Sequence, residues 1–218
     1  MIDLHTHSML SDGVLIPSEL VRRLEVMGYL AVAITDHVDS SNLDHVVPRI
    51  VRAAEELNHA QSVKVIPGVE VTHVPPVSIP SLVRRAREMG ARLLVVHGET
   101  IAEPVAPGTN RAAIEGGADI LAHPGLIRPE EVALAASKGV FLEISARKGH
   151  SLTNGHVAKL AKEAGCRLVL NSDSHAPGDF MTEAFARKVA QGTGLPSDSL
   201  QEFLCNSRLL LGGIGFSL

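Results

Sequence analysis

Of the eleven histidines in this 218-residue chain, six (His5, His7, His37, His97, His123 and His175) fall at or just beyond the end of a short apolar run. The densest case is the N-terminal stretch Met1-Ile-Asp-Leu-His5-Thr-His7-Ser-Met-Leu-Ser-Asp12. Side chains spaced i, i+2 leave an extended chain on the same side, so His5 and His7 can reach one metal ion. Asp12 follows past a turn of Ser11, Asp12 and Gly13 and adds a hard oxygen beside the nitrogen pair. Glu70 and Asp173 lie near two further run ends and bring the candidate ligands to nine. Any one of these histidines alone is accounted for as a hydrogen-bonded loop residue; the nine together point to metal. They exceed what one ion can use, so two or three divalent ions are expected. Mixed imidazole and carboxylate shells suit Zn, Mn or Fe, and a carboxylate can bridge two ions, as in hydrolytic two-metal sites.

Such residues converge only if the chain brings the run ends together. Pro17, Ser18 and Glu19 open a helix with Leu20, Val21, Leu24 and Met27 at helical spacing, closed by Gly28. A strand over 29–35 then delivers Asp36 and His37. A helix is expected over 42–58, with Pro48 in its first turn or marking a late start. The β-branched run 63–71, interrupted at Pro67-Gly68, carries Glu70 near its end. Ser81 begins a helix stopped by Gly90, and 92–96 delivers His97. Asn110 caps a short helix stopped at Gly116-Gly117, and 119–122 delivers His123. A helix from Pro129 ends at Gly139, and 140–144 delivers Glu143 and Ser145. Thr153 and Asn154 cap a helix ended by Gly165, and 166–170 delivers Asn171, Asp173 and His175. Two closing helices, 181–191 and 198–206, precede an apolar tail at 209–211.

Five times a helix stops on glycine (Gly28, Gly90, Gly117, Gly139, Gly165), an apolar strand follows, and polar residues stand at its C-terminal end. Strands alternating with helices of this length make βα units and a parallel sheet with right-handed crossovers. About seven such units predict an α/β barrel with its chemistry at the C-terminal rim of the strands. No linker or low-complexity tract interrupts residues 1–218, which are expected to form a single domain.

Composition agrees with this class. Hydrophobic residues make up 45% and aromatics 3%, with no Trp, so the core must be built from Val, Leu, Ile and Ala, as in buried parallel sheets. A net charge of −4 and a pI near 6.2 give no basic field for a long polyanion, so nucleic acid is not an expected partner, whereas a small phosphorylated substrate is compatible. Cys166 and Cys205 form no disulfide framework. Too few residues precede His5 for a signal peptide, and no run of 18 apolar residues predicts a membrane span. A cytoplasmic location is expected, with oligomeric state open.

The motifs His5-Thr-His7 with Ser11-Asp12-Gly13, Thr35-Asp36-His37, Gly68-Val-Glu70-Val, Val96-His97-Gly98, Ala122-His123-Pro124-Gly125 and Ser172-Asp173-Ser174-His175 resemble, in order, those of the PHP (polymerase and histidinol phosphatase) family. The resemblance runs from residue 3 to residue 175. It implies a distorted (β/α)7 barrel, TIM-barrel-like, holding three divalent ions. Carried over residue by residue, it places His5, His7, Glu70 and Asp173 on one ion, Glu70 with His97 and His123 on a second, and Asp12, His37 and His175 on a third. Some members of the family carry histidine where this chain has Asp12, a change that hardens the site.

The resemblance further implies a metal-dependent phosphoesterase, a hydrolase acting on phosphoric ester bonds. The expected substrate is a small phosphate monoester, cleaved by metal-activated hydroxide in the manner of a histidinol phosphatase. Two alternatives are a phosphodiesterase or exonuclease, and a non-catalytic RNA-binding barrel; the latter requires lost ligands and a basic surface, and the chain shows neither.

Among other polar residues, Arg147 and Lys148 are candidate phosphate ligands. His150, two residues further on, is a candidate proton donor to the leaving group or hydrogen-bond donor to phosphate. Asp36 is expected to orient a liganding imidazole. Asp3 is expected to point away from His5 and be structural. His45 and His73 lie near the ligand loops, in reach of substrate. His59 and His156 are expected on exposed helix surface, and Cys166 in a buried strand.

Overall fold

The structure, a computed structural model, describes residues 1–218. Its strands are β1 (Ile2–Thr6), β2 (Ala31–Ile34), β3 (His37–Val38), β4 (Lys64–Val71), β5 (Leu93–His97), β6 (Ile120–Ala122), β7 (Phe141–Ser145) and β8 (Leu168–Asn171). Its α-helices are α1 (Pro17–Val26), α2 (Leu43–Ala60), α3 (Ile79–Glu88), α4 (Thr109–Glu115), α5 (Pro129–Lys138), α6 (Asn154–Ala164), α7 (Glu183–Gly192) and α8 (Ser199–Gly213). The sheet order is β1-β2-β4-β5-β6-β7-β8, all parallel, with β3 paired on β4 as a short continuation beyond β2. Seven strands therefore run around the sheet, as the glycine-stopped repeats predict.

The sheet is nearly closed between its first and last strands. Only Thr6 and Ser174 form a bridge there. Side chains stand in for the rest of the ladder: Asn171 Oδ1 accepts from Leu4 N–H at 2.9 Å, and Asp3 Oδ1 accepts from Ser172 N–H at 3.1 Å. These bonds satisfy donors that a barrel seam otherwise leaves buried and unpaired. Asp3 is fully buried at this seam, and burial pushes its carboxyl up to about 6.

Alternation along the strands sorts the core into two layers. A cluster of 13 residues, including Ile2, Leu4, Ala33, Ile66, Leu93, Val95 and Val169, fills the barrel interior, and Leu210 and Leu211 of α8 close its N-terminal end. A larger cluster of 47 residues packs the outer strand faces, including Val32, Val65, Leu94, Leu121 and Leu142, against the helices. Each such fully buried aliphatic side chain contributes about 1.5–3 kcal/mol. In β1 a shift of register between Asp3 and Thr6 breaks the alternation. Leu4 remains in the interior cluster, yet its neighbour His5 also reaches the interior carboxylates, while Asp3 faces the seam.

Several local expectations are corrected. Pro48 lies inside α2, not in its first turn. The hydrogen bond it cannot donate would go to the Asp44 carbonyl, and both residues are exposed, so water can serve that carbonyl. β4 continues through Pro67 and Gly68 without interruption. A Cβ at Gly68 would come within 2.9 Å of the Leu93 carbonyl oxygen, so glycine lets β5 pack close beside the strand that carries Glu70. α3 begins at Ile79 rather than Ser81, with Pro80 in its first turn. α4 begins at Thr109, ahead of Asn110. α8 extends through the expected tail to Gly213. No helix is long and apolar enough to cross a membrane.

Candidate metal centre

The polar residues at the C-terminal ends of the strands meet in one pocket of about 260 Å³ with no hydrophobic residue in its lining. Asp12, His37, His97, His123, Arg147, His150, Asp173 and His175 line it, and His5, His7 and Glu70 form its buried floor. All nine sequence-predicted ligands are thus brought together. A larger cavity of about 540 Å³ lies around the starts of β6 and β7 and the end of α8, and gathers no set of histidines.

Two carboxylates organise the floor. Glu70 Oε1 lies 3.4 Å from His5 Nε2 and 3.5 Å from His123 Nε2, and Oε2 lies 3.8 Å from His7 Nε2. Asp173 Oδ1 lies 3.2 Å from His7 Nε2 and 3.7 Å from His5 Nε2. Across the pocket, Asp12 Oδ1 lies 3.2 Å from His175 Nε2 and 3.5 Å from His37 Nε2. Most of these separations exceed a normal N–H···O bond of about 2.7–3.2 Å. They match the edge of about 3.3 Å between two atoms that each stand about 2.0–2.1 Å from one tetrahedral ion.

The buried atoms His5 Nε2, His7 Nδ1 and Nε2, His123 Nδ1 and Glu70 Oε1 have no hydrogen-bond partner. Unpaired buried polar atoms are costly, and donor atoms of these types facing one another fit divalent cations. His5, His7, His123, Glu70 and Asp173 are therefore able to hold metal, as are Asp12, His37 and His175.

Charge in the pocket is distributed accordingly. Burial works against a charged His5, but Glu143, Glu70 and Asp173 raise it well above the ordinary imidazole value. Burial also penalises the Glu70 carboxylate, yet His5 and His37 hold it well below the usual range. Asp173 is likewise lowered against its burial, chiefly by His5 and by His7, whose Nε2 lies 3.2 Å from its Oδ1. Burial pushes His7 down to about 3, which keeps it in the neutral form that ligates metal.

The groups that aim the ligands are only partly those expected. Asp36 does not orient an imidazole. Its Oδ1 accepts from Ser8 N–H at 2.8 Å and Ser11 Oγ–H at 2.7 Å, and its Oδ2 from Ser8 Oγ–H at 2.7 Å, so it ties down the loop that leads to Asp12. Orientation of His5 comes from Glu143, a strand residue the sequence delivers to the rim without a role: Oε1 is 2.9 Å from His5 Nδ1. The signal for it was a carboxylate inside an apolar run. Thr72 Oγ1 sits 2.7 Å from His37 Nδ1, and the Gly98 carbonyl lies 3.1 Å from His97 Nδ1. Asn110 joins two ligand loops, accepting from Glu99 N–H and donating to the Pro124 carbonyl. Those loops run so close that a Cβ at Gly125, whose φ is +65°, would collide with the Glu99 carbonyl oxygen.

Arg147 and His150 both reach the pocket. Arg147 Nη1 donates to the Asp173 carbonyl at 2.9 Å and lies 2.6 Å from His175 Nδ1. Lys148 lines an adjoining cavity of about 410 Å³ with Arg147, Ser172, Phe180 and Phe185. His150 is buried, its ring stacks on His123 at 4.1 Å, and burial lowers it to about 4. Glu103, which the sequence offered no reason to single out, enters the pocket from the loop after β5, 3.1 Å from His97 Nε2. Only three non-glycine residues adopt positive φ: His73 at 53°, His123 at 28° and Asp173 at 52°. Each costs about 1–3 kcal/mol, and all three are in the pocket, which is where such strain is retained. His45 and His59 are exposed, and His156 is half-buried, its Nε2 bonded to the Ile127 carbonyl at 2.8 Å.

The nearly closed parallel sheet and its histidine-carboxylate rim define an α/β barrel with a candidate metal centre. The sequence profile of the PHP domain matches residues 3–189, and the chain belongs to that family. It is 47% identical over 204 residues to an uncharacterised protein, MJ1295, of Methanocaldococcus jannaschii, an alignment covering 93% of this chain and 94% of that one. A probable phosphatase of a Shewanella species is 36% identical over 118 residues, 45% of this chain and 47% of its own. Among solved structures, a candidate histidinol phosphatase, hisK, from Listeria monocytogenes superposes with a TM-score of 0.60 at 12% identity, covering 84% of this chain and 98% of that one, and so shares the fold.

Proposed function

We propose that this protein is a metal-dependent phosphoesterase that hydrolyses a small phosphate monoester. The observation that carries it is the convergence of His5, His7 and His123 on Glu70 and Asp173 at 3.2–3.8 Å, with buried donor atoms that no protein group satisfies. His5, His7, Glu70 and Asp173 would hold one ion, Glu70, His97 and His123 a second, and Asp12, His37 and His175 a third. Divalent ions held there supply an acidified water and positive charge for the phosphoryl oxygens.

The protein's own groups complete the site. Arg147 stands at the junction of the polar pocket and the adjoining cavity, where its guanidinium can turn from the Asp173 carbonyl to a phosphoryl oxygen. Thr100 Oγ1 accepts from Ala102 N–H at 3.3 Å and lies 2.7 Å from His150 Nδ1. A hydroxyl hydrogen given to Nδ1 leaves the ring proton on Nε2, directed into the pocket. His150, neutral near pH 7, then acts as a hydrogen-bond donor to the phosphoryl group and not as an imidazolium acid. The pocket accommodates a phosphoryl head group, and the neighbouring cavity, lined by Lys148, Phe180 and Phe185, receives the alcohol portion. A monoester suits this arrangement because Arg147 and His150 reach the one pocket from its wall and could meet terminal phosphoryl oxygens beside the residues that would hold the ions.

The test is hydrolysis by Mn-loaded protein of histidinol phosphate, nucleoside monophosphates, sugar phosphates and one aryl diester, with a chelated control. Monoester turnover that the chelator abolishes is expected. Turnover of the diester alone would overturn the monoester assignment.

A further inference from the structure

Beyond the nine residues already placed, one group of side chains at the mouth of the pocket has the composition of a metal position. The carboxylate nearest His97 Nε2 is Glu103, at 3.1 Å, whereas Glu70 turns to His5, His37 and His123. Glu103 Oε2 also lies 2.9 Å from His73 Nε2. The ligand atoms of His73, His97 and Glu103 all fall within 4.8 Å of one another. His97 has one nitrogen to offer, because Nδ1 faces the Gly98 carbonyl at 3.1 Å. His73 and His97 bring their rings to 4.6 Å, close to the spacing of His7 with His37 and with His175 at 4.2 and 4.1 Å. His73 shares its left-handed backbone with His123 and Asp173 alone among non-glycine residues.

We propose that His73, His97 and Glu103 bind one divalent cation at the outer end of the centre, with Glu103 of the 98–108 loop as its carboxylate ligand; the one available nitrogen of His97 then serves this ion, with His73 and Glu103 in place of Glu70 and His123 as its partners. This rests on the metal-dependent function proposed above and extends its ligand set by two residues, His73 and Glu103. Two imidazoles and one carboxylate are a ligand set used for Zn and Fe, with positions left for water or substrate. Because Glu103 is carried on a loop and is partly exposed, the carboxylate can be exchanged for a phosphoryl oxygen without disturbing the barrel.

The experiment is metal binding rather than turnover. Full-length protein and its Glu103→Gln and His73→Gln variants are stripped, titrated with Co2+ and read by visible absorption, with bound metal per chain measured by elemental analysis. Thermal unfolding of the metal-free forms checks that the fold is unaltered. The wild type is expected to bind one more equivalent than either variant, or to hold its weakest equivalent at least about tenfold more tightly, since even indirect supports of a metal contribute that much. Glu103→Asp should restore part of the difference. Variants that match the wild type in number and affinity of bound ions overturn the proposal and leave the phosphoesterase function standing. A wild type that binds no divalent ion overturns both.

Discussion

Glu143 Oε1 lies 2.9 Å from His5 Nδ1, directly behind the nitrogen that faces Glu70. The same carboxylate accepts from Asn171 Nδ2 at 2.9 Å and, through Oε2, from His123 N–H at 3.1 Å. One buried side chain therefore aims one ligand, fixes the backbone of another and ties β8 to the interior. Glu143→Gln keeps the shape but presents a donor where acceptors are needed. Metal affinity should fall about 10- to 100-fold, as for other supports behind a liganding histidine. Chelator competition measures it, and an unchanged dissociation constant would remove Glu143 from this role.

Glu70→Ala should abolish hydrolysis and reduce bound metal, since Glu70 faces four imidazoles. The barrel should still form, because Glu70 is one polar residue at the rim of a large aliphatic core. Circular dichroism with elemental analysis tests both halves. A folded variant with full activity and full metal content is the outcome that sinks its assignment.

Metal uptake should release protons at pH 7 and weaken as pH falls. Burial opposes protonation of His5, His37 and His123, but their carboxylate neighbours prevail and raise all three above the ordinary imidazole value. Proton and metal compete for the same lone pairs, so a raised value extends the proton's advantage to higher pH. Affinity is greatest above these raised values and is lost as pH drops through them, a decline that starts above about 6.5. Glu70 and Asp173 are lowered and stay ionised across this range, so the imidazoles carry the effect. Calorimetry in buffers of differing ionisation heat counts the protons released; a count of zero at pH 7 would contradict the raised values.

Arg147→Ala should reduce kcat/KM for a monoester by about 10²- to 10³-fold, the usual cost of removing one preorganised donor to a developing oxyanion. Metal affinity should fall far less than the rate, because the guanidinium offers no ligand atom and only supports the Asp173 carbonyl and the His175 ring. Arg147→Lys should recover only part of the rate, since an ammonium lacks the planar fork. Steady-state kinetics beside elemental analysis separates a substrate contact from a metal defect.

The repeat of glycine stops and apolar runs made the barrel readable, because both strand period and helix termination are local in sequence. The convergence of the nine candidate ligands was readable for the same reason: each stands near or beyond the C-terminal end of a strand, and parallel topology sends all such ends to one rim. What escaped depends on tertiary contact. Asp36 sits beside His37 in sequence, which invited a role on an imidazole, yet its oxygens are occupied by Ser8 and Ser11 from another loop. Glu103 lies in a loop with no periodicity, and nothing local says that it folds back over His97. Pro48 looked like a helix boundary, but an exposed carbonyl one turn earlier lets the helix pass through it.

The left-handed backbone at His73, His123 and Asp173 has a consequence for how this barrel can change over generations. Glycine at any of the three would relax the chain, and apolar replacements on the floor would remove its unpaired atoms. Selection for heat tolerance alone would therefore erode the pocket before the barrel.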